Sequence, residues 1–183
     1  MWQRLLDLDV SCLRWVEGLR PSWLDGPMYV ASHLEYALPF LALLWILLVW
    51  KGGDKGRRVA LAIIVLFACT DLLNAHLIKP LVGRPRPHSD SFSFPSSHAV
   101  NLFAQAILLT LCYPRVGFVL YPLAAVVGFS RIYLGKHYPL DVVGGAFIGT
   151  GFGLLGYWLT RRLGRRLDRL WAFLRSPWKA RSA

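Results

Sequence analysis

The sequence is poor in acid and poor in cysteine. Ten aspartates and glutamates stand against 21 lysines and arginines, and charged residues of both signs make up only 17% of 183 positions. That is well short of the roughly 25% typical of chains whose surface faces water. Three cysteines, Cys12, Cys69 and Cys112, are odd in number and scattered, so no disulfide framework is indicated. Cys69 and Cys112 fall in apolar runs and are expected to be buried small hydrophobes. There is no Gly-rich loop of the Walker type, which argues against ATP as a substrate. No H-E-x-x-H or similar ligand spacing is present, and the cations near His88, Asp90, His98 and His137 oppose a zinc site, so neither a metal nor any other cofactor is expected. Internal repeats and low-complexity linkers are missing, which leaves residues 1–183 as one membrane-embedded domain. The first twenty residues lack an uninterrupted apolar stretch and carry Asp7, Asp9 and Glu17, so they do not read as a signal peptide.

What is abundant is apolar sequence, 55% of the chain. It comes in blocks at about 28–50, 59–79, 97–113, 116–134 and 139–160, near the roughly 20 residues that carry a helix across a bilayer. The blocks lack the alternation of a barrel strand and must satisfy their own backbone, which predicts helices. The expected fold is therefore an all-α integral membrane protein with about five transmembrane helices over 28–160. The third is short enough to start inside protein rather than lipid. Residues 1–22 add an amphipathic helix, the sixth, with Leu5, Leu8, Cys12, Trp15 and Leu19 at helical spacing. Two readings of it stand: a helix lying at the membrane surface, or one packed on the bundle. Residues 161–183 form a basic tail helix, with Leu163, Leu167, Leu170, Trp171 and Leu174 on one side and a face suited to anionic lipid headgroups on the other.

The net charge of +11 would suit nucleic acid, but its distribution argues for topology instead. With five alternating spans, 13 of the 21 Lys and Arg fall on one side, in the loop 51–58, at Arg115 and in the tail. Cytoplasmic loops collect positive charge, so that side is expected to be cytoplasmic and the tail with it. The opposite side then faces the periplasm or exterior of a plasma (inner) membrane. The same threading gathers the polar residues that interrupt the blocks. Lys79 ends the second span, Ser96, Ser97 and His98 open the third, Arg131 closes the fourth, and His137 with Asp141 opens the fifth. All fall on the outer face.

Lys79, Arg86 and Arg131 would repel one another unless they shared an anion, and the planar fork of arginine suits phosphate. Ser96 or Ser97 after Pro95 can cap the third span, and Pro139 suits the first turn of the fifth, so two helix amino termini point at the same space. Asp141, four residues after His137, can accept from one ring nitrogen and leave the other as a nucleophile. His98, from another helix, can donate a proton to a departing oxygen. Arg84 and Lys136 are equally readable as headgroup contacts or secondary clamps. Asp71, Asn74 and His76 are expected to face the bundle interior. His33 and Glu35 read as headgroup contacts, Pro39 as a kink in the first span, and Phe92 and Phe94 as aromatics that dip into the outer leaflet to admit a lipid.

Three stretches, "KPLVGRPRP" (Lys79 to Pro87), "PSSH" (Pro95 to His98) and "SRIYLGKHYPLD" (Ser130 to Asp141), resemble the signature of the type 2 phosphatidic acid phosphatase (PAP2) superfamily, K-x6-RP, PSGH and SR-x5-H-x3-D. That superfamily also includes bacterial acid phosphatases and vanadium haloperoxidases. Ser97 stands where the family has glycine. The resemblance implies that His137 attacks phosphorus and becomes a phosphohistidine, oriented by Asp141. It implies that His98 protonates the leaving group and then activates water, and that Lys79, Arg86, Ser96, Ser97 and Arg131 hold the phosphoryl oxygens without a metal. The expected function is a lipid phosphatase acting on undecaprenyl diphosphate or phosphatidylglycerophosphate. Rivals are a lipid A phosphatase or lipid phosphotransferase with the same site, and a lipid transporter or scaffold with a vestigial anion site. The expected partners are a membrane lipid substrate and anionic headgroups, with no nucleic acid; the sequence does not specify an oligomeric state.

Overall fold

The computed structural model describes residues 2–179, with side chains described for residues 3–164. The chain runs through α1 (Trp2–Gly18), α2 (Ser22–Ser32), a 3-10 turn (Leu34–Ala37), α3 (Leu38–Lys51) and α4 (Gly53–Leu73). A π turn (Asn74–Ile78) joins α4 to α5 (Lys79–Val82), and a hairpin of β1 (Pro85–Arg86) and β2 (Ser89–Phe92) precedes α6 (Ser97–Cys112), α7 (Gly117–Tyr133) and α8 (Pro139–Lys179). Four helical segments are long and apolar enough to cross a membrane: Leu34–Lys51, Gly53–Val82, Pro114–Tyr133 and Pro139–Gly164. The chain is an all-α integral membrane protein. The short hairpin, within the expected loop 80–95, is the β structure among the described residues.

The expected third span, α6, has 16 residues. At about 1.5 Å per residue it falls short of a hydrocarbon core of about 30 Å. It manages this because protein surrounds it: α4, α7 and α8 all pack on it, α8 most extensively, and Ala99, Val100, Ala104, Ala106 and Leu108 are buried. Leu66 of α4 joins Ala104 and Leu108 to form the core, with Ile63, Phe152 and Tyr157 around it. The closeness of α6 and α8 rests on small residues, the device of membrane helix pairs. A Cβ on Gly149 would collide with the backbone carbonyl of Val100, and one on Gly145 would stand 2.9 Å from the Cβ of Ala99.

The expected first span is not one helix. It breaks at His33 and restarts at Leu38, with Pro39 in the first turn of α3 rather than at a kink. Proline is tolerated there because the first-turn N–H has no intrahelical partner. No residue of α3 is buried, and the indole of Trp45 tethers it to α4 by donating to the Ala60 carbonyl at 2.9 Å.

Two expectations about interior faces fail for one physical reason: α4 buries a narrow stripe. Leu66, Thr70 and Asn74 face inward at a spacing of four, so Cys69, Asp71 and His76 lie on the exposed side. Thr70 donates to Asn101 of α6 at 2.5 Å. Helix α1 reconciles its two readings. Asp9 and Leu13 are buried against the bundle, while Leu8, Trp15 and Leu19 are 61%, 67% and 58% exposed and leave an apolar stripe for a membrane surface. The backbone of α8 continues without a break to Lys179, but Leu167, Leu170, Trp171 and Leu174 lie outside the described side chains. At the end of the bundle away from the histidines, Lys55 donates to the Cys112 carbonyl at 2.7 Å and covers the Tyr113 ring.

Candidate active site

The three motif stretches meet at one end of the bundle. The turn after α7 is closed by the N–H groups of Lys136 and His137, both donating to the Arg131 carbonyl at 2.9 and 3.2 Å. Gly135 makes that turn possible with φ +65°, which L side chains adopt at a cost. The turn points His137 inward at 1% exposure, beside Asp141 at 0%. The second stretch is joined to the third by the Ser96 N–H, which donates to the Asp141 carbonyl at 3.0 Å. Helix α6 starts at Ser97, so its free N–H groups open next to His137. The first stretch is brought up by the π turn, a feature that often re-aims residues at functional sites. Asn74 within it donates to the Ser97 hydroxyl at 2.8 Å.

Lys79 is an electrostatic neighbour of Arg86, Arg131 and Asp141. His98 is a neighbour of Arg131, His137 and Lys136, and His137 of Arg86 and Arg131. The expected set of Lys79, Arg86, Ser96, Ser97, His98, Arg131, His137 and Asp141 is thus assembled in one place. Arg131 is 7% exposed, and one terminal nitrogen donates to the carbonyl and hydroxyl of Ser32 at 3.1 and 2.5 Å. Its Nε is buried and has no protein partner; the hydroxyl of Ser96 is likewise buried and unpartnered. Buried polar atoms left without a bond are costly, so two in one cluster of cations mark a place built for a further acceptor. Ser96 holds the N-cap position of α6 without making a capping bond, which leaves its hydroxyl for that purpose. The Ser97 hydroxyl accepts from Asn74, which leaves its own hydrogen to donate.

His137 presents Nδ1 toward Asp141 Oδ2 at 3.6 Å and the Ser93 hydroxyl at 3.5 Å, while Ser93 itself donates to Asp141. The Asp141–His137 contact is an ion-pair distance rather than a short hydrogen bond, and Ser93 stands between them. Nε2 is then the atom left to face the cluster. Burial pushes the His137 imidazole below its ordinary pKa, Asp141 opposes this, and Arg86 and Arg131 add to it. A group held below 6.5 is neutral, hence nucleophilic, at pH 6.5 and above, and protonates only at lower pH. The acid limb of kcat/KM, with the ionisation of the phosphate itself divided out, is expected below pH 6.5. A limb above pH 7 would contradict a buried neutral imidazole.

Several placements differ from expectation. Arg84 is held by two carboxylates that the sequence reading did not connect to it: its two terminal nitrogens donate to Asp9 and Asp141 at 2.6 and 2.8 Å. Lys136 is half-buried near His98. Glu35, exposed in the 3-10 turn, is sensed by His98, Arg131 and Lys136 and so lies at the rim. Phe92 is 42% exposed, whereas the Phe94 ring packs where a Cβ on Gly144 would be. Asp9, Ser32 and Ser93 were not singled out for the site from sequence. Ser32 and Asp9 carry no local signal; Ser93 lies three residues before Ser96, and that adjacency was the one available hint. Among the described residues no group of three or more His, Cys, Asp or Glu is arranged to hold a metal ion.

Comparison with known proteins agrees with this geometry. The family described as the PAP2 superfamily matches residues 58–165. The lipid A 4'-phosphatase of Bacteroides thetaiotaomicron is 32% identical over 92% of this chain and 84% of its own length. The undecaprenyl-diphosphatase BcrC of Bacillus subtilis is 30% identical, over 66% of this chain and 68% of its own. Among solved structures, the transmembrane PAP2-type phosphatidylglycerolphosphate phosphatase of Bacillus subtilis superimposes with a TM-score of 0.72 at 25% identity, covering 87% of each chain.

Proposed function

This chain belongs to the PAP2 superfamily and is an integral membrane lipid phosphatase; on that premise we propose that it cleaves a lipid diphosphate or phosphomonoester through a phosphohistidine at His137, on the non-cytoplasmic side of the plasma membrane. The observation that carries the reading is the pair of buried, unpartnered donors, Ser96 Oγ and Arg131 Nε, within a cluster of Lys79, Arg86, His98 and His137. A phosphoryl group supplies the acceptors that these donors lack, and it offsets the mutual repulsion of the cations.

The chemistry follows from which atoms are free. His137 Nε2 forms a bond to phosphorus while the bond from phosphorus to the leaving oxygen breaks, and His98 gives that oxygen its proton. Lys79, Arg86, Ser96 and Arg131 take up the charge on the phosphoryl oxygens. His98, now neutral, removes a proton from water as it attacks phosphorus, and the N–P bond breaks to release phosphate. Asp141 and Ser93 hold the Nδ1 side throughout, so the positive charge that develops on the ring meets a carboxylate.

Undecaprenyl diphosphate and phosphatidylglycerophosphate are the favoured substrates. The site lies at one end of the bundle, a placement that suits a phosphate at headgroup level with its chain among the helices, and Phe92 on the neighbouring hairpin is exposed. A lipid A phosphatase is the second reading, favoured by the relative from Bacteroides thetaiotaomicron. The basic end carrying Lys55 and Arg161 is proposed to face the cytoplasm, with the tail against anionic headgroups. Phosphate release from undecaprenyl diphosphate, phosphatidylglycerophosphate, lipid A and phosphatidic acid in detergent tests the reading. Release from one of the first two at more than about tenfold the rate of the others is the expected result; folded protein that releases phosphate from none overturns it.

A further inference from the structure

We propose that Asp9 and Arg84 are positioning residues for the reaction: Asp9, from the amino-terminal helix, shares the guanidinium of Arg84 with Asp141 and so fixes both the place and the net charge of the carboxylate behind His137. The inference rests on the reading that His137 and Asp141 form the nucleophilic pair, and it adds to that pair a helix outside the family-matched segment 58–165.

The chain brings three distant points together. Arg84 Nη2 donates to Asp9 Oδ2 at 2.6 Å and Nη1 to Asp141 Oδ1 at 2.8 Å. The guanidinium lies 4.2 Å over the ring of Tyr138, which fixes its plane. The other oxygen of Asp9 accepts the N–H of Leu140 at 2.8 Å. Asp9 therefore holds two things at once, the arginine and the first turn of α8, and that turn carries Asp141. The carboxylates of Asp9 and Asp141 are 1% and 0% exposed, and the Arg84 side chain is 16% exposed. Long-range ion pairs this well buried are retained only with full hydrogen bonding, which both carboxylates have.

Charge counting then gives the role. One guanidinium set between two carboxylates leaves one negative charge. If Arg84 faced Asp141 alone, the pair would be neutral and would offer little to the positive charge growing on His137 during attack. Asp9 draws part of the guanidinium away, so Asp141 keeps an anionic character while its position stays fixed. Its remaining oxygen accepts from Ser93 and from the Tyr138 N–H at 2.8 Å, on the side facing His137. One N–H of each terminal nitrogen of Arg84 is thereby committed to a carboxylate.

The test uses the full chain in detergent and the fastest substrate of the four-lipid panel. Asp9→Asn keeps the shape but removes the charge and exchanges one of the two acceptor oxygens for an NH2 donor. It is expected to lower kcat about tenfold with KM within about twofold, and Arg84→Gln to lower kcat about 10–100-fold, the range for groups that orient metal-bound histidines. Effects exerted through Asp141 must vanish without it: in an Asp141→Asn background, Asp9→Asn is expected to change kcat by less than about twofold. A purely structural role would multiply through unchanged. Should Arg84→Gln not be recovered folded, the isosteric Asp9→Asn decides alone. Wild-type kcat in Asp9→Asn, a change confined to KM, or a full multiplicative loss in the Asp141→Asn background overturns the inference. A wild-type chain that releases phosphate from none of the lipids, or His137→Ala that turns over normally, instead overturns the reading beneath it.

Discussion

Replacement of His137 by alanine is expected to lower kcat for lipid phosphate release by more than about 10⁴-fold, the scale on which removal of a nucleophile acts. The side chain is 1% exposed and its Nδ1 is the atom turned to Asp141 and Ser93, which leaves Nε2 as the nitrogen for phosphorus. The turn that presents it does not depend on the imidazole: the His137 N–H bonds to the Arg131 carbonyl through the backbone. Cations and free donors remain as well. The variant is therefore expected to keep binding inorganic phosphate, and to keep its elution as a folded species, while turnover disappears. Equilibrium phosphate binding and single-turnover release, measured on the same preparation, separate the two. Loss of both together would place His137 in the fold rather than in the chemistry.

His98→Ala is expected to produce the second largest loss, about 10²–10⁴-fold in kcat for a lipid substrate, the scale of general acid–base catalysis. Its signature distinguishes it from a binding residue. An aryl phosphate leaves readily without a proton, so with p-nitrophenyl phosphate the first step is expected to be nearly spared while attack by water remains slow. The variant then releases a burst of p-nitrophenol, close to one equivalent per chain, followed by slow turnover. A uniform loss for both leaving groups, with no burst, would remove His98 from the proton-transfer role. It closes the second stretch, in the first turn of α6, near Arg131 of α7 and His137 of the turn before α8; burial and Arg131 push its pKa down to about 4, so the charge of the bound phosphate must raise it for the acid role.

How much of this was legible follows from how local each signal is. The apolar blocks were readable because crossing a bilayer sets a length, and four of the five overlap segments long and apolar enough to span, the first of them starting six residues late. The four-residue step from His137 to Asp141 was readable because it lies within one stretch. The break at His33 was not, since nothing around Leu34–Ala37 lowers hydropathy enough to divide a span. Asp71 and His76 were misplaced because a polar residue in an apolar run argues for an interior face, yet the narrow stripe through Leu66, Thr70 and Asn74 decides which way α4 turns. Asp9 was the least legible of all. On an amphipathic helix a single acid reads as a solvated face, and its meaning depends on Arg84, 75 residues away in sequence.

The central claim, that His137 takes the phosphoryl group covalently, is met most directly by rapid acid-free quenching of the wild-type chain with a phosphorus-labelled lipid substrate. The account predicts a protein-bound label, stable to base and labile to acid, mapping to His137, and approaching one per chain in His98→Ala when labelled p-nitrophenyl phosphate replaces the lipid. Steady turnover of the lipid with no such label at any quench time, or a label that maps to another residue, would contradict it.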